Sequence, residues 1–226
     1  MRTSTAVALR PSAAFLQATI GKKVVMATTG VILFGFVVGH LLGNLQIYLG
    51  AEKLNHYSEF LHANAGLLWV VRSVLLASVA LHILTAVQLT LQRQRARPRA
   101  YRTRADLQAT YASRTMMLSG PIIAAFVVYH LLHLTFGSLH PSFSAADVYH
   151  NVVAGFEQVP VALAYIVAMV LLGMHLGHGL YSMTQSIGLS NPSYVLKVKA
   201  GARLIAAAIV IGNISIPLSV LLGLVR

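Results

Sequence analysis

Ten histidines are spread along a chain of 226 residues that has no cysteine and only five acidic residues. Six of them, His40, His82, His130, His133, His175 and His178, fall inside long apolar stretches. An ionisable side chain in a membrane segment is costly and marks a functional position by default. No Asp or Glu lies well inside the same stretches. A proton relay or an ion-coupled transporter would place carboxylates there, so their absence argues against that class. A neutral imidazole without a carboxylate partner suits a metal, and haem iron needs no thiolate. The lack of cysteine excludes disulfides, haem attachment through C-x-x-C-H, thiolate zinc sites and ordinary iron–sulfur clusters.

The elements that carry these histidines follow from composition. Apolar residues make up 57% of the chain and charged residues 10%, against roughly 25% charged in a soluble domain. So few charges cannot cover a water-exposed surface, and they do not describe a disordered chain either. The expected fold class is an all-α integral membrane protein, a bundle of five transmembrane helices. Five apolar runs, about 24–49, 65–91, 115–137, 159–184 and 203–225, each reach the length of about 20 residues that a crossing needs. They are too long, and too little alternating, for strands. A tail over 1–23 precedes a single domain over 24–225. No internal repeat is visible, which argues against a transporter built from inverted halves. Pro121 and Pro217 fall inside runs and are expected to kink or locally unwind them. The stretches 50–64 and 137–158 read as polar connections.

Lys and Arg set the orientation. Arg2, Arg10, Lys22 and Lys23 precede the first run. Arg93, Arg95, Arg97, Arg99, Arg102, Arg104 and Arg114 lie between the second and third. Lys197, Lys199 and Arg203 lie between the fourth and fifth or just inside the fifth. These fourteen of the 17 basic residues share one side, leaving Lys53, Arg72 and Arg226 on the other. The expected topology has the N-terminus cytoplasmic and the C-terminus outside. Glu52, Glu59, Asp147 and Glu157 fall outside, and only Asp106 inside. The net charge of +12 is therefore a matter of topology, and no nucleic-acid partner is expected. The acid-free first 20 residues faintly resemble an organelle transit peptide; a short cytoplasmic tail is the plainer reading. Trp69, Tyr48 and Tyr149 suit an interfacial belt on the outer side.

Depth sorts the histidines. At about 1.5 Å of rise per residue, His40 and His130 both lie roughly 23–24 Å from the inner ends of their helices, and His82 and His175 both roughly 15 Å. Two level pairs result, His40 with His130 and His82 with His175, separated vertically by roughly 8 Å. Two bis-histidine haems stacked across the membrane would use all four. His133 and His178 each lie three residues on and share a face with their neighbours. Depth favours His130 and His175, but helix ends read from sequence shift by a few residues. A hydrogen-bonded structural role is the ordinary alternative for any one of them. Gly35, Gly39 and Gly43 in the first run, and Gly173, Gly177 and Gly179 in the fourth, would let a flat macrocycle approach the backbone. They serve close helix packing equally well.

The stretches Ile20-Gly21-Lys22-Lys23, Gly39-His40-Leu41-Leu42-Gly43-Asn44 and Leu81-His82-Ile83 occur in that order. Ala112-Ser113-Arg114-Thr115, Tyr129-His130-Leu131-Leu132-His133, His175-Leu176-Gly177-His178-Gly179-Leu180-Tyr181-Ser182 and Ile187-Gly188-Leu189 follow. In order and spacing, over about residues 15–220, the chain resembles the di-haem cytochrome b membrane-anchor subunit of succinate dehydrogenase/fumarate reductase (respiratory complex II). The resemblance implies a five-helix anchor with its N-terminus inside and one axial histidine on each of the first four helices. These would be His40, His82, His130 and His175, holding two haems b. His40 and His130 would ligate the distal haem, and His82 and His175 the proximal one.

It further implies partners: a flavoprotein subunit that handles succinate or fumarate, an iron–sulfur subunit, membrane lipid, and a quinone, expected to be menaquinone. The location implied is the inner (cytoplasmic) membrane of a bacterium. Ser113, Arg114 and Thr115 are candidates to meet haem propionates or quinone oxygens, and Glu59, with Glu52 and His62 near it, to serve a distal quinone site. The Arg-rich loop 93–104 would dock an acidic partner or anionic lipid. Some members carry a glutamate in the fourth helix for a proton path. Here Gly173-Met174-His175 holds no acid, which argues against a proton pathway of that type. The alternatives are a di-haem cytochrome b of another quinone-linked oxidoreductase and a haem-free transporter or scaffold.

Overall fold

In a hydrocarbon layer each backbone N–H and C=O must find its partner within the protein, and an apolar run does so by becoming a helix. The computed structural model, described over residues 18–96, 111–186, 188–189 and 191–226, has that form. Side chains are described for all of these except 111–115. Helix α1 (Thr19–Asn44) ends in a 3-10 turn, Leu45–Leu49, and a short helix α2 (Ala51–Ala63) follows. Then come α3 (Ala65–Arg95) and α4 (Tyr111–His130), which closes in a wide π turn, Leu131–Thr135. Helices α5 (Val148–Phe156), α6 (Val159–Ser186) and α7 (Val195–Leu221) complete the order. Five of them, α1, α3, α4, α6 and α7, are long and apolar enough to cross a membrane. The chain is an all-helical, multi-pass membrane protein.

The spans differ from the sequence expectation at their ends. Helix α1 begins at Thr19 and α7 at Val195, so Lys22, Lys23, Lys197, Lys199 and Arg203 all ride on helices. Long basic side chains cover apolar surface with their stems while the charge reaches water, so helical hydrogen bonding need not stop where the apolar run stops. Of the kink or local unwinding expected at the two prolines, unwinding does not occur: α4 and α7 run through Pro121 and Pro217 without a break. Around Pro217, Asn213 Nδ2 donates to Ile209 O at 2.9 Å and Ser215 Oγ to Gly212 O at 2.8 Å, reinforcing the preceding turn. The departure from α geometry comes ten residues after Pro121, in the π turn. Gly137 then turns the chain at φ 72°, a left-handed conformation, and the Phe143 ring occupies the place of its missing side chain.

Two side-chain contacts fix which helix ends share a side. Thr90 of α3 lies beside Met117 of α4, and Lys199 of α7 sits 4.8 Å over the Tyr181 ring of α6. This is the basic end. At the other end Tyr48 bonds Ser215 Oγ at 2.8 Å and Ser219 Oγ at 3.0 Å. That second end is capped by α2 and α5, which lie in the two stretches read as polar connections. Asp147 caps the first turn of α5, a usual helix-start signal, and apolar residues follow it. The buried core lies here, with Ile47, Leu54, Val153, Phe156, Tyr165 and Ile216 among its members. Trp69 and Tyr48 are exposed at this end, as an interfacial belt requires. Tyr149 bonds Arg226 O at 3.0 Å.

Along the spans, α1 packs on α3, and α6 packs on both α4 and α7. Gly173 permits the closest approach, since a side chain there would run into Val210 of α7. Neither α1 with α4 nor α3 with α6 packs closely backbone to backbone.

One asparagine stitches the cap together. Asn55 Nδ2 donates to Asp147 Oδ1 at 2.9 Å, and Tyr149 N donates to Asn55 Oδ1 at 3.0 Å. His150 N also donates to Asp147 Oδ1, at 2.9 Å. These bonds, the one from the His150 backbone first, hold the Asp147 carboxyl below its ordinary pKa. A carboxyl whose folded pKa is depressed contributes stability that is complete above its unfolded value and lost as pH falls through the folded one. Hydrogen-exchange protection at the Tyr149 and His150 amides should therefore hold at neutral pH and fall in acid below the usual carboxylate range. Asp147→Ala should lower protection at both amides at neutral pH, by about 1 kcal/mol.

Candidate functional site

Four spans each bring one histidine to the bundle interior, and the histidines meet in two pairs. The rings of His40 on α1 and His130 on α4 lie 5.8 Å apart, at 88° to each other. The rings of His82 on α3 and His175 on α6 lie 6.3 Å apart, at 57°. The first pair sits in the capped half and the second nearer the basic end. In each pair the rings reach across an interval between two helices whose backbones do not pack.

Three of the four rings are held from the side. Phe36 stacks on His40, one turn away, at 5.3 Å and 18°. Thr29 Oγ1 lies 3.2 Å from His82 Nδ1. Tyr165 Oη lies 3.3 Å from His130 Nδ1. His175 Nδ1 is buried with no partner.

The two neighbours left open by depth go elsewhere. His133 is fully buried, but it faces Tyr165 Oη at 3.0 Å and stacks on Tyr129 at 5.6 Å, with His140 5.0 Å away. It faces no histidine of α1, α3 or α6. His178, half-buried on α6, forms no close ring pair with His82.

The donor set has a definite chemical meaning. An imidazole nitrogen binds a transition metal at roughly 2.0–2.1 Å, so two rings on opposite sides of one metal have centroids about 6 Å apart. Both pairs match. No group of three or more His, Asp or Glu side chains among the described residues could cage a bare ion. A metal with two facing protein ligands needs its remaining positions filled by a non-protein group, and a haem fills four. A methyl group built on Gly39, beside His40, or on Gly179, one turn past His175, would meet nothing within 4 Å. Gly43, Gly173 and Gly177 instead pack against Tyr57, Val210 and Ala206. Those three glycines serve close packing, and the spacing of the rings fits a haem at each pair.

The other candidates do not gather here. Glu59 on α2 is exposed at the capped end, 3.9 Å from His56 and away from both pairs. Glu52 is exposed in the first turn of the same helix, and His62 Nδ1 bonds Ser58 O at 2.8 Å. Ser113, Arg114 and Thr115 lie on the first turns of α4, and their side chains fall outside the described residues. Of the Arg-rich loop, Arg93 and Arg95 end α3, while Arg97, Arg99, Arg102 and Arg104 fall outside the described residues. So do the tail residues Arg2 and Arg10. Two neighbours of the pairs were not singled out from the sequence, Thr29 and Tyr165. A hydroxyl in an apolar run was the only signal for either.

At the basic end Lys23, Met26, Ser182, Gln185 and Ser186 line a polar pocket of about 160 Å³ between α1 and α6. Ser182 lies two turns beyond His175. An apolar groove of about 370 Å³ opens between α1 and α3 beside Thr29.

A family model described as the succinate dehydrogenase/fumarate reductase transmembrane subunit matches residues 90–214. The match contains His130 and His175, and His40 and His82 precede it. Comparison with curated proteins and with solved structures gives no match.

The pairing has a countable consequence. If each pair holds one haem, pyridine haemochrome counts should fall by one haem per chain in His40→Ala, and equally in His130→Ala. The double variant should lose no more than either single one. His40→Ala combined with His82→Ala should lose both, and His133→Ala or His178→Ala neither.

Proposed function

Because the chain belongs to the succinate dehydrogenase/fumarate reductase transmembrane-subunit family, we propose that it carries electrons between the iron–sulfur subunit and membrane quinone through two bis-histidine haems b. The two facing histidine pairs carry this reading. A haem b held between the two histidines of a pair would supply one-electron redox chemistry, which suits electron transfer rather than oxygen binding. His40 and His130 hold the distal group and His82 and His175 the proximal one. The protein's own part is to fix orientation, burial and potential.

Charge and packing support the division between the two ends. The basic end presents Lys22, Lys23, Arg93, Arg95, Lys197 and Lys199 on helix ends. By the positive-inside rule this end is cytoplasmic, and there the iron–sulfur and flavoprotein subunits dock. Lys23 and Ser182 offer donors to haem propionates or to quinone oxygens in the polar pocket. Succinate or fumarate chemistry belongs to the partner subunits. The quinone is menaquinone and the location a bacterial inner membrane.

A dithionite-reduced minus oxidised spectrum of the complex, isolated with its partner subunits, tests the reading. Two haems b per chain are expected, low-spin, unreactive to CO and reducible by succinate. A complex that keeps its partners and holds no haem would overturn it.

A further inference from the structure

Thr29 of α1 is 5% exposed and faces His82 of α3. A hydroxyl has one proton to give. Thr29 gives it to the backbone, to Val25 O at 2.8 Å, with Met26 O at 3.1 Å as the other acceptor in reach. Towards His82 Nδ1 the Thr29 oxygen can then only accept. The proton of that bond belongs to Nδ1, and Nε2 of His82 is left as a bare electron pair.

Tyr165 of α6 obeys the same count. It is 7% exposed, with Phe126 and Phe156 edge-on to its ring at 4.9 Å and 4.8 Å. Its hydroxyl reaches two histidines, His133 Nδ1 at 3.0 Å and His130 Nδ1 at 3.3 Å. One proton means that it donates to one ring and accepts from the other. Donation to His130 would put that ring's proton on Nε2, where no metal could bind. Donation to His133, the shorter bond, makes Tyr165 the acceptor of His130 Nδ1–H and leaves His130 Nε2 bare. His133 then carries its proton on Nε2, the buried atom that has no partner. Each pair therefore has one ring anchored by a hydroxyl. The opposite rings are held differently, His40 by its stack on Phe36, while His175 Nδ1 has no partner.

We propose that Thr29 and Tyr165 are positioning residues, one for each histidine pair. Each accepts the Nδ1–H of one ring, fixes its tautomer and rotation, and so presents Nε2 to the iron. This rests on the haem reading above. A hydrogen bond accepted from Nδ1–H makes the ring a more basic ligand. A more basic ligand favours ferric over ferrous iron and lowers the potential of the haem it holds.

Potentiometric titration of the intact complex, followed in the visible bands, tests this with Tyr165→Phe and Thr29→Val, which remove a hydroxyl and keep the shape. Complexes with His40→Ala or His82→Ala assign each potential to its pair. Tyr165→Phe should keep both haems and raise only the His40/His130 potential. The expected change is about tenfold in the ferric-to-ferrous equilibrium, or about 59 mV for one electron. Thr29→Val should raise only the His82/His175 potential. Unchanged potentials with both haems bound would overturn the proposal, as would equal shifts of both haems in either variant. Loss of haem on removing one hydroxyl would also overturn it, since the group would then be holding the fold and not a tautomer. An unsubstituted complex without haem would instead remove the functional reading itself, before any variant is made.

Discussion

A polar ring in a hydrocarbon layer must be satisfied by the protein or by what the protein binds. This chain brings histidines into its spans without a carboxylate among them, so ion pairs are not available as the solution. The histidines meet instead as two facing pairs, each drawn from helices whose backbones stay apart. The arrangement of the bundle follows from that requirement. Helix α1 packs on α3, and α6 on α4 and α7, so tight packing joins helices beside one another in each half and leaves an interval where the rings face. An ordinary bundle would close that interval with small residues and apolar side chains.

Packing strength is distributed unevenly along the membrane normal. At one end α2, α5 and the ends of α1, α6 and α7 form a core with a hydrogen-bonded lid, in which Asn55 and Asp147 join two segments far apart in sequence. At the other end the helices carry cations and a small polar pocket, and far fewer of the described side chains are buried. The His40/His130 pair lies close to the capped end, where Tyr165 sits among aromatic rings.

The number of spans, their order and the levels of their histidines were legible because each rests on a local quantity: apolar length, charge placement or rise per residue. Pairing by depth put His40 with His130 and His82 with His175, and the structure brings the rings of each pair to 5.8 Å and 6.3 Å of one another. Other features were illegible for physical reasons. Helices α2 and α5 are short and amphipathic, and apolar length does not detect such segments. The apolar runs missed the starts of α1 and α7, because a helix continues past the apolar boundary when lysine stems can cover it. Pro121 and Pro217 suggested a kink or local unwinding, and the helices continue through both. Between His130 and His133, depth alone could not decide, since a few residues of error in a helix end exceed their spacing.

The sequence by itself determined an all-helical membrane bundle, the sidedness of its charge, and which histidines stand at equal depth, because composition and helical rise are properties of each segment alone. Only the tertiary structure decided what each ring touches. Thr29 is 53 residues from His82 and Tyr165 is 35 from His130, and no periodicity within one helix relates them. The direction in which a helix faces is set by its neighbours, and a hydrogen bond between helices depends on both rotations at once. His133 shows the same dependence: three residues from His130 in the chain, it is turned towards Tyr165 and His140 by the packing of α4 against α6 and the wide turn that follows.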